Sequence, residues 1–351
     1  MRHALVLAGG SGTRLWPLST RDMPKQVVPL LDGRSLLELA IERAHSLVNP
    51  ARTWIGTGEA LAVAIGSLPG IDAERVVVEP SGRDTLPALT FCMARIARAD
   101  PDAVVAVLTA DHVIEPLGAL TSALYRGFAV AEAQDDVLVA FGVVPDQPAT
   151  SFGYLELGEP LAGDARRVSR YAEKPQAARA AQLVEQGALW NSGMFVWRAA
   201  TFLRAVAAFA PDTLALVERV LAGEVSVWDA IPRVSVDYGV MEPASTSMQF
   251  TVAALPLTAQ WLDVGSWPQL GDALGRAAET GNAVGAAAAE LLDSRGCVVV
   301  SSDPDHLVAL IGCDGLVVVH TAAATLVVPA AQAQRVKELQ ALVAADFPEL
   351  A

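Results

Sequence analysis

Over the first 145 residues, short runs of apolar and β-branched residues alternate with longer Ala-rich stretches whose apolar positions recur at helical spacing. The run at 5–8 and those at 53–56, 75–79, 104–108 and 137–143 read as buried strands. Helical stretches are expected near 59–67, 87–99 and 117–134. Another helix opens at the capping-box sequence Ser35-Leu36-Leu37-Glu38 and carries Leu36, Leu39, Ala40, Arg43 and Ala44 at helical spacings to about Val48. Such alternation predicts an α/β fold with a mostly parallel sheet wrapped on both faces. In such sheets ligands sit beyond the carboxyl ends of the strands.

The pattern changes past Val144. Segments 151–156, 168–174 and 189–197 alternate polar and apolar residues, and two of them contain a glycine where a ligand can approach the backbone. A further strand is expected at 249–255. From about 280 the chain turns to short β runs at 297–301, 307–311, 316–320 and 325–328, punctuated by Gly296, Gly312, Gly315 and Asp303-Pro304-Asp305. This spacing fits a small sheet or a few coils of a β-helix, and a helix over 330–344 follows.

Of the 351 residues, 52% are hydrophobic and 18% charged, as in a globular enzyme. The net charge of −14 argues against a nucleic-acid partner, which would need a basic surface. Positive charge is instead local: residues 1–34 hold Arg2, Arg14, Arg21, Lys25 and Arg34 against Asp22 and Asp32, five cations less two anions for a net of +3. Lysine occurs elsewhere only as Lys174 and Lys337. Cys92, Cys297 and Cys313 are odd in number and widely spaced, which points to buried thiols in a reducing compartment rather than a disulfide or zinc framework. The apolar start is too short for a signal peptide, and the run at 316–331 falls short of a membrane span. A cytoplasmic protein without membrane contact is expected.

The candidate chemistry starts where the first strand ends, at Gly9-Gly10-Ser11-Gly12-Thr13-Arg14-Leu15-Trp16-Pro17-Leu18-Ser19, with Pro24-Lys25-Gln26 following. Glycines let backbone N–H groups lie against phosphate oxygens, and Arg14 and Lys25 bring permanent cations to the same place. The spacing matches neither a P-loop nor a dinucleotide fingerprint. Further on, Thr109-Ala110-Asp111-His112 sets a carboxylate at a strand exit, where a hard cation is expected, while His112 reads as a packed or turn-capping residue. Glu79-Pro80-Ser81-Gly82-Arg83-Asp84-Thr85 joins a strand to a helix, so Asp84 or Thr85 fits an N-cap and Glu79 or Asp84 equally fits a carboxylate accepting from the N–H donors of a ligand. Asp263, in Trp261-Leu262-Asp263-Val264-Gly265-Ser266-Trp267, precedes a glycine turn and a helix from about Ser266.

Together these strings resemble the sugar-phosphate nucleotidyltransferases, and the Leu15-Trp16-Pro17-Leu18-Ser19 and Pro24-Lys25-Gln26 segments resemble their mannose-1-phosphate guanylyltransferase branch. The resemblance covers nearly the whole chain. It implies a Rossmann-like catalytic domain at 1–279 and a small β-rich domain at 280–351, left-handed β-helical in the family, with a terminal helix. It implies Mg²⁺-dependent transfer of GMP from GTP to α-D-mannose 1-phosphate, while exposed apolar strand edges in the C-terminal β runs can pair subunits, so a homodimer is expected. Gly9, Gly10, Gly12 and Thr13 would contact the nucleotide, Arg14 and Lys25 its β- and γ-phosphates, and Glu79 and Asp84 the base. Asp111 and Asp263 would hold the metal, while Gly153, Glu173, Lys174 and Asn191 match the sugar-phosphate side. The segment Val236-Asp237-Tyr238-Gly239-Val240-Met241-Glu242 also matches, without a role legible in its residues. Asp84 stands where the family usually has Asn.

Three alternatives keep part of this reading: another NTP and sugar 1-phosphate pair, a catalytically silent sugar-nucleotide-binding regulator, and a nicotinamide-dependent oxidoreductase. The first is disfavoured by Trp16 and Trp190-Asn191-Ser192-Gly193, the second by Arg14, Lys25, Asp111 and Asp263 occurring together, and the third by the glycine spacing. An appended phosphomannose isomerase domain is not expected, since the tail after 280 lacks a cluster of metal-binding histidines.

Overall fold

The computed structural model describes residues 1–10, 12–21, 23–66, 68 and 71–350; Ser11 of the glycine loop and Asp22 lie outside the described residues. The chain forms two compact units, one of Met1–Gly9, Ile41–Thr109 and Ile114–Trp261, the other of Gly10–Ala40, Ala110–Val113 and Leu262–Ala351.

The first unit is built on a nine-stranded sheet, ordered Val76–Glu79, Thr53–Gly58, Arg2–Ala8, Val104–Thr109, Leu189–Arg198, Val137–Val143, Thr251–Pro256, Arg166–Ala172 and Tyr154–Pro160. Only Arg166–Ala172 and Leu189–Arg198 run against the rest, so the sheet is mostly parallel, as expected. Its central strands are short and buried on both faces, because helices cover them and leave no polar side to alternate with. The observed strands at 53–58, 104–109 and 251–256 differ from the expected ones by only a residue or two at their ends.

Among the pieces that go beyond the sequence expectation are the helices Ala199–Phe209 and Pro211–Leu221 and the 3₁₀ turn Val225–Ala230. None of these three begins with a side-chain cap, so the usual start signal is missing; they are held by packing instead. Phe202 stacks on Trp197 at 4.6 Å between ring centroids, and Trp197 on Phe195 at 4.9 Å. Trp228 meets Phe91 edge-on at 5.3 Å, tying the turn to the helix Thr85–Ala99.

The second unit contains the glycine loop, the hairpin Pro29–Leu31 and Arg34–Ser35, the start of the helix Leu36–His45, and the C-terminal strands. The expected capping box is present: the Ser35 N–H donates to Glu38 Oε2 at 2.7 Å and the Glu38 N–H to Ser35 Oγ at 3.2 Å. The composition change near 280 is one of secondary structure, from helix-bearing chain to short strands. Compactness groups the loop and 262–279 with those strands.

The strands Ala283–Gly285, Val298–Ser301 and Leu316–His320 stack in parallel, with Thr325–Pro329 antiparallel at the end. Beside them Ala288–Leu292 pairs in parallel with Leu307–Ile311. This is a β-rich body of repeated coils. The expected terminal helix is a 3₁₀ turn over Ala330–Arg335 followed by an α-helix, Val336–Asp346. Cys92 and Cys297 are buried as expected, whereas Cys313 is partly exposed because it sits at a coil corner; all three are free.

Each coil turns at a glycine with positive φ, Gly281 at 67°, Gly296 at 61° and Gly315 at 58°. The corners stack closely: a Cβ on Gly281 would lie 3.8 Å from the Gly296 backbone, and one on Gly296 would lie 3.8 Å from Gly315. A side chain there incurs the left-handed backbone cost at a repeated corner. Gly296→Ala is expected to destabilise the protein by about 1–2 kcal/mol. Urea denaturation of both proteins checks it, and an unchanged midpoint would contradict the corner argument.

Candidate active site

In the second unit the glycine loop folds back over Lys25. Gly12 has φ 60°, and a Cβ on it would lie 3.0 Å from Lys25 Cγ, so glycine is needed both for the turn and for the lysine stem to pass. The Gly12 carbonyl accepts from Ser19 Oγ at 2.6 Å and from the Leu15 N–H at 2.9 Å, which closes the 3₁₀ turn Thr13–Leu15. Thr13 opens this turn, Gly10 precedes it in the same unit, and Gly9 ends the first unit, exposed. Arg14 is exposed and donates through Nη1 to Gln334 Oε1 at 3.2 Å.

Lys25 is buried, and its Nζ donates to Asp111 Oδ2 at 2.9 Å and to the Val264 carbonyl at 3.2 Å. The Val264 N–H donates to the Asp111 carbonyl at 3.0 Å, so backbone pairing brings the Asp111 and Asp263 segments side by side. Ligand atoms of Asp111, His112 and Asp263, one from each, lie within 4.8 Å of one another. Burial pushes the Asp111 carboxyl up, but the Lys25 ammonium and His112 outweigh it and hold the group below the usual carboxylate range. Two carboxylates converging on one point fit a hard divalent cation. The structure also places His112, buried, in this cluster, where the sequence reading set it aside.

A second polar cluster lies in the first unit. Asn191 Nδ2 donates to the Tyr171 hydroxyl at 2.5 Å, and that hydroxyl donates to Asp237 Oδ1 at 2.5 Å. Asn191 also reaches Asp237 Oδ1 at 3.1 Å, while its own Oδ1 is buried without a hydrogen-bond partner among the described residues. Glu173 is 5% exposed and Lys174 56%, with Lys174 Nζ 2.9 Å from Glu173 Oε1. The split follows from Lys174 φ of 44°, which swings the backbone between them. A Cβ on Gly153 would come within 2.5 Å of Glu173 Oε2, so only glycine leaves room there, and the Gly153 carbonyl accepts from the Asn191 N–H at 2.8 Å.

Burial, then the Glu173 charge, push Asp237 up to about 6, and burial beside Asp237 raises the Tyr171 hydroxyl well above its ordinary value. Sequence reasoning named Glu173, Lys174, Asn191 and Gly153 but missed Tyr171 and Asp237. Asp237 opens a π-helical turn, Asp237–Met241, and such turns often mark functional positions, but nothing in the residue string announces one.

Glu79 ends its strand paired with Gly58, is buried, and is pushed up to about 7 by that burial. Asp84 is exposed at φ 75° and caps the helix Thr85–Ala99 by accepting the Thr85 N–H at 2.7 Å. The N-cap alternative for Asp84 is therefore realised, with its second oxygen left over.

The sequence matches the nucleotidyl transferase family over residues 3–280 and the MannoseP isomerase/GMP-like beta-helix domain over 290–341. It is 33% identical to a mannose-1-phosphate guanylyltransferase of Escherichia coli strain K12 over 98% of this chain and 74% of that protein. It is also 33% identical to the xanthan biosynthesis protein XanB of Xanthomonas campestris pv. campestris, covering 95% of this chain and 72% of that one. Among solved structures, a mannose-1-phosphate geranyltransferase from Thermus thermophilus superposes with a TM-score of 0.86 at 36% identity, covering 96% of this chain and 98% of that one. No described helix is long and apolar enough to cross a membrane. With the glycine loop, its lysine and the paired carboxylates in place, these matches show that the chain belongs to the nucleotidyl transferase family, in its mannose-1-phosphate guanylyltransferase branch, and is a sugar-phosphate nucleotidyltransferase.

Proposed function

We propose that the protein transfers GMP from GTP to α-D-mannose 1-phosphate, forming GDP-mannose and releasing pyrophosphate. The observation that carries this reading is the convergence of Lys25, Asp111 and Asp263 beside a glycine loop, in a chain of this family. A phosphate oxygen of the sugar phosphate attacks the α-phosphorus as the bond from that phosphorus to the oxygen bridging to the β-phosphate breaks. The nucleophile is already anionic at neutral pH, since a phosphate monoester's second pKa is near 6, so no general base is needed. The task is to hold two polyanions together and stabilise the charge gathering on pyrophosphate.

The backbone of Gly9, Gly10, Gly12 and Thr13 binds phosphate oxygens, and Arg14 and Lys25 neutralise the leaving group. Asp111 and Asp263 would hold Mg²⁺, which when bound supplies charge neutralisation at the α-phosphate. Lys25 keeps Asp111 ionised and so ready for that ion. On the sugar side, the unpartnered Asn191 oxygen accepts a hydroxyl, Glu173 a second one, and the exposed Lys174 ammonium faces the sugar's phosphate. Tyr171 and Asp237 fix the Asn191 amide, so its open oxygen points one way. Glu79 and Asp84 read the guanine edge.

The direct test is pyrophosphate release with Mg²⁺ and mannose 1-phosphate, run with GTP, ATP, CTP, UTP and dTTP, and repeated with glucose 1-phosphate. Release confined to GTP with mannose 1-phosphate is expected; preference for another pair would overturn the substrate assignment, and nucleotide binding without release would favour a regulator. Lys25→Ala is expected to lower kcat on the order of 10²–10³-fold with the far-ultraviolet dichroism unchanged, and full turnover would remove Lys25 from the site.

Glu79 gives a pH signature. Its folded pKa of about 7 lies above the ordinary 4.5, so the folded state holds a proton that the unfolded chain releases in between. The stability from that proton is full below 4.5 and is lost as pH rises through 7. Going from pH 5 to pH 8, wild type should lose up to about 3 kcal/mol relative to Glu79→Gln, read from chemical denaturation at each pH. Parallel curves would mean the carboxyl is ionised throughout.

A further inference from the structure

Arg14 is the loop's unpaired cation: among the described residues it forms no ion pair, and its one hydrogen bond goes to the neutral amide oxygen of Gln334. Gln334 comes from the C-terminal 3₁₀ turn Ala330–Arg335, 320 positions away. The segments carrying the two residues are joined firmly. Leu15 and Trp16, next to Arg14, are buried in one apolar cluster with Val298, Val317 and Val336. The Trp16 indole N–H donates to the Leu350 carbonyl at 2.7 Å, and the Trp16 carbonyl accepts from the Trp267 indole at 3.2 Å. On its far side Arg14 abuts Gly265, where a Cβ would lie 3.3 Å from Nη2.

We propose that Gln334 is a positioning residue that aims the Arg14 guanidinium at the nucleotide's phosphates while leaving its charge uncompensated. The inference rests on the reading of Arg14 as a phosphate-neutralising group. A guanidinium has five N–H donors in a rigid fork, and one bond to an amide oxygen on a packed 3₁₀ turn narrows its rotational freedom while four donors stay free. The acceptor's neutrality matters as much as its place. A carboxylate there would form a charge-assisted bidentate pair and compete with every phosphate oxygen the arginine is meant to hold. In this reading the C-terminal coils are part of the nucleotide cradle.

The test is a double-mutant cycle read by calorimetric binding of magnesium pyrophosphate, which depends on neither base nor sugar, with GTP turnover measured beside it. Wild type, Arg14→Ala, Gln334→Ala, the double variant and Gln334→Glu are compared. Gln334→Ala should weaken pyrophosphate binding roughly threefold to tenfold in wild type and by less than about twofold in the Arg14→Ala background. Gln334→Glu should bind more weakly than Gln334→Ala. Melting temperatures should stay within about two degrees, since Gln334 is an exposed side chain. Equal losses in both backgrounds, no loss at all, or pyrophosphate binding indifferent to Arg14→Ala would each overturn the proposal. Wild type that binds pyrophosphate with this coupling yet releases none from GTP would sink the proposed reaction and leave the positioning role standing.

Discussion

The contact between Lys25 Nζ and Asp111 Oδ2 sets the terms for the rest of the second unit. A lysine this buried is costly unless paired, and a pair is costly unless its remaining hydrogen-bonding capacity is met. The Val264 carbonyl takes a second Lys25 proton, and the same Val264 anchors its N–H on the Asp111 carbonyl. One short network thus fixes the loop's cation, the carboxylate opposite it and the backbone that presents Asp263. The glycine at position 12 is dictated by the lysine stem, whereas Gly9 and Gly10 have open space where a side chain would stand.

The sugar-side cluster meets a related constraint through hydrogen bonds among Tyr171, Asp237 and Asn191. Burial and the nearby Glu173 charge favour the protonated form of Asp237, and a proton donor, Tyr171, sits on the Asp237 oxygen. The cluster is preorganised, and its unsatisfied oxygen belongs to Asn191. A buried polar atom without a protein partner is expensive to leave so, and in the proposed reading a sugar hydroxyl supplies the missing bond.

Much of this was legible in the residues. The capping box at Ser35, the strand at 137–143 and the coil strands at 307–311 and 316–320 stand where patterning puts them, because local propensity and tertiary packing agree there. The helices at 199–221 were not legible, since they carry no capping signal and are held by burial instead, the first of them with Phe202 stacked on Trp197. The glycine loop was legible as a backbone turn flanked by cations and Asp111 as a carboxylate at a strand exit, while Asp263 was reached through the family resemblance of its string. Tyr171, Asp237 and Gln334 were not legible, because each acts through a partner far away in the chain. His112 was discounted for the opposite reason: magnesium does not require a nitrogen donor, yet the strand exit that aims Asp111 carries its neighbour into the same cluster.

The bond from Trp16 to Leu350 spans 334 positions, and that separation governs when the site can form. During synthesis the glycine loop leaves the ribosome early, but Leu15, Trp16, Val28 and Leu30 are buried against Val298, Val300, Val317 and Val319. Until those residues emerge, the loop has only the earlier members of its apolar cluster, among them Leu36, Val264, Trp267 and Leu270. The sheet of the first unit has its strands in hand by Pro256 and can assemble while translation continues. The packing of the glycine loop is therefore completed only after the coil strands have been made.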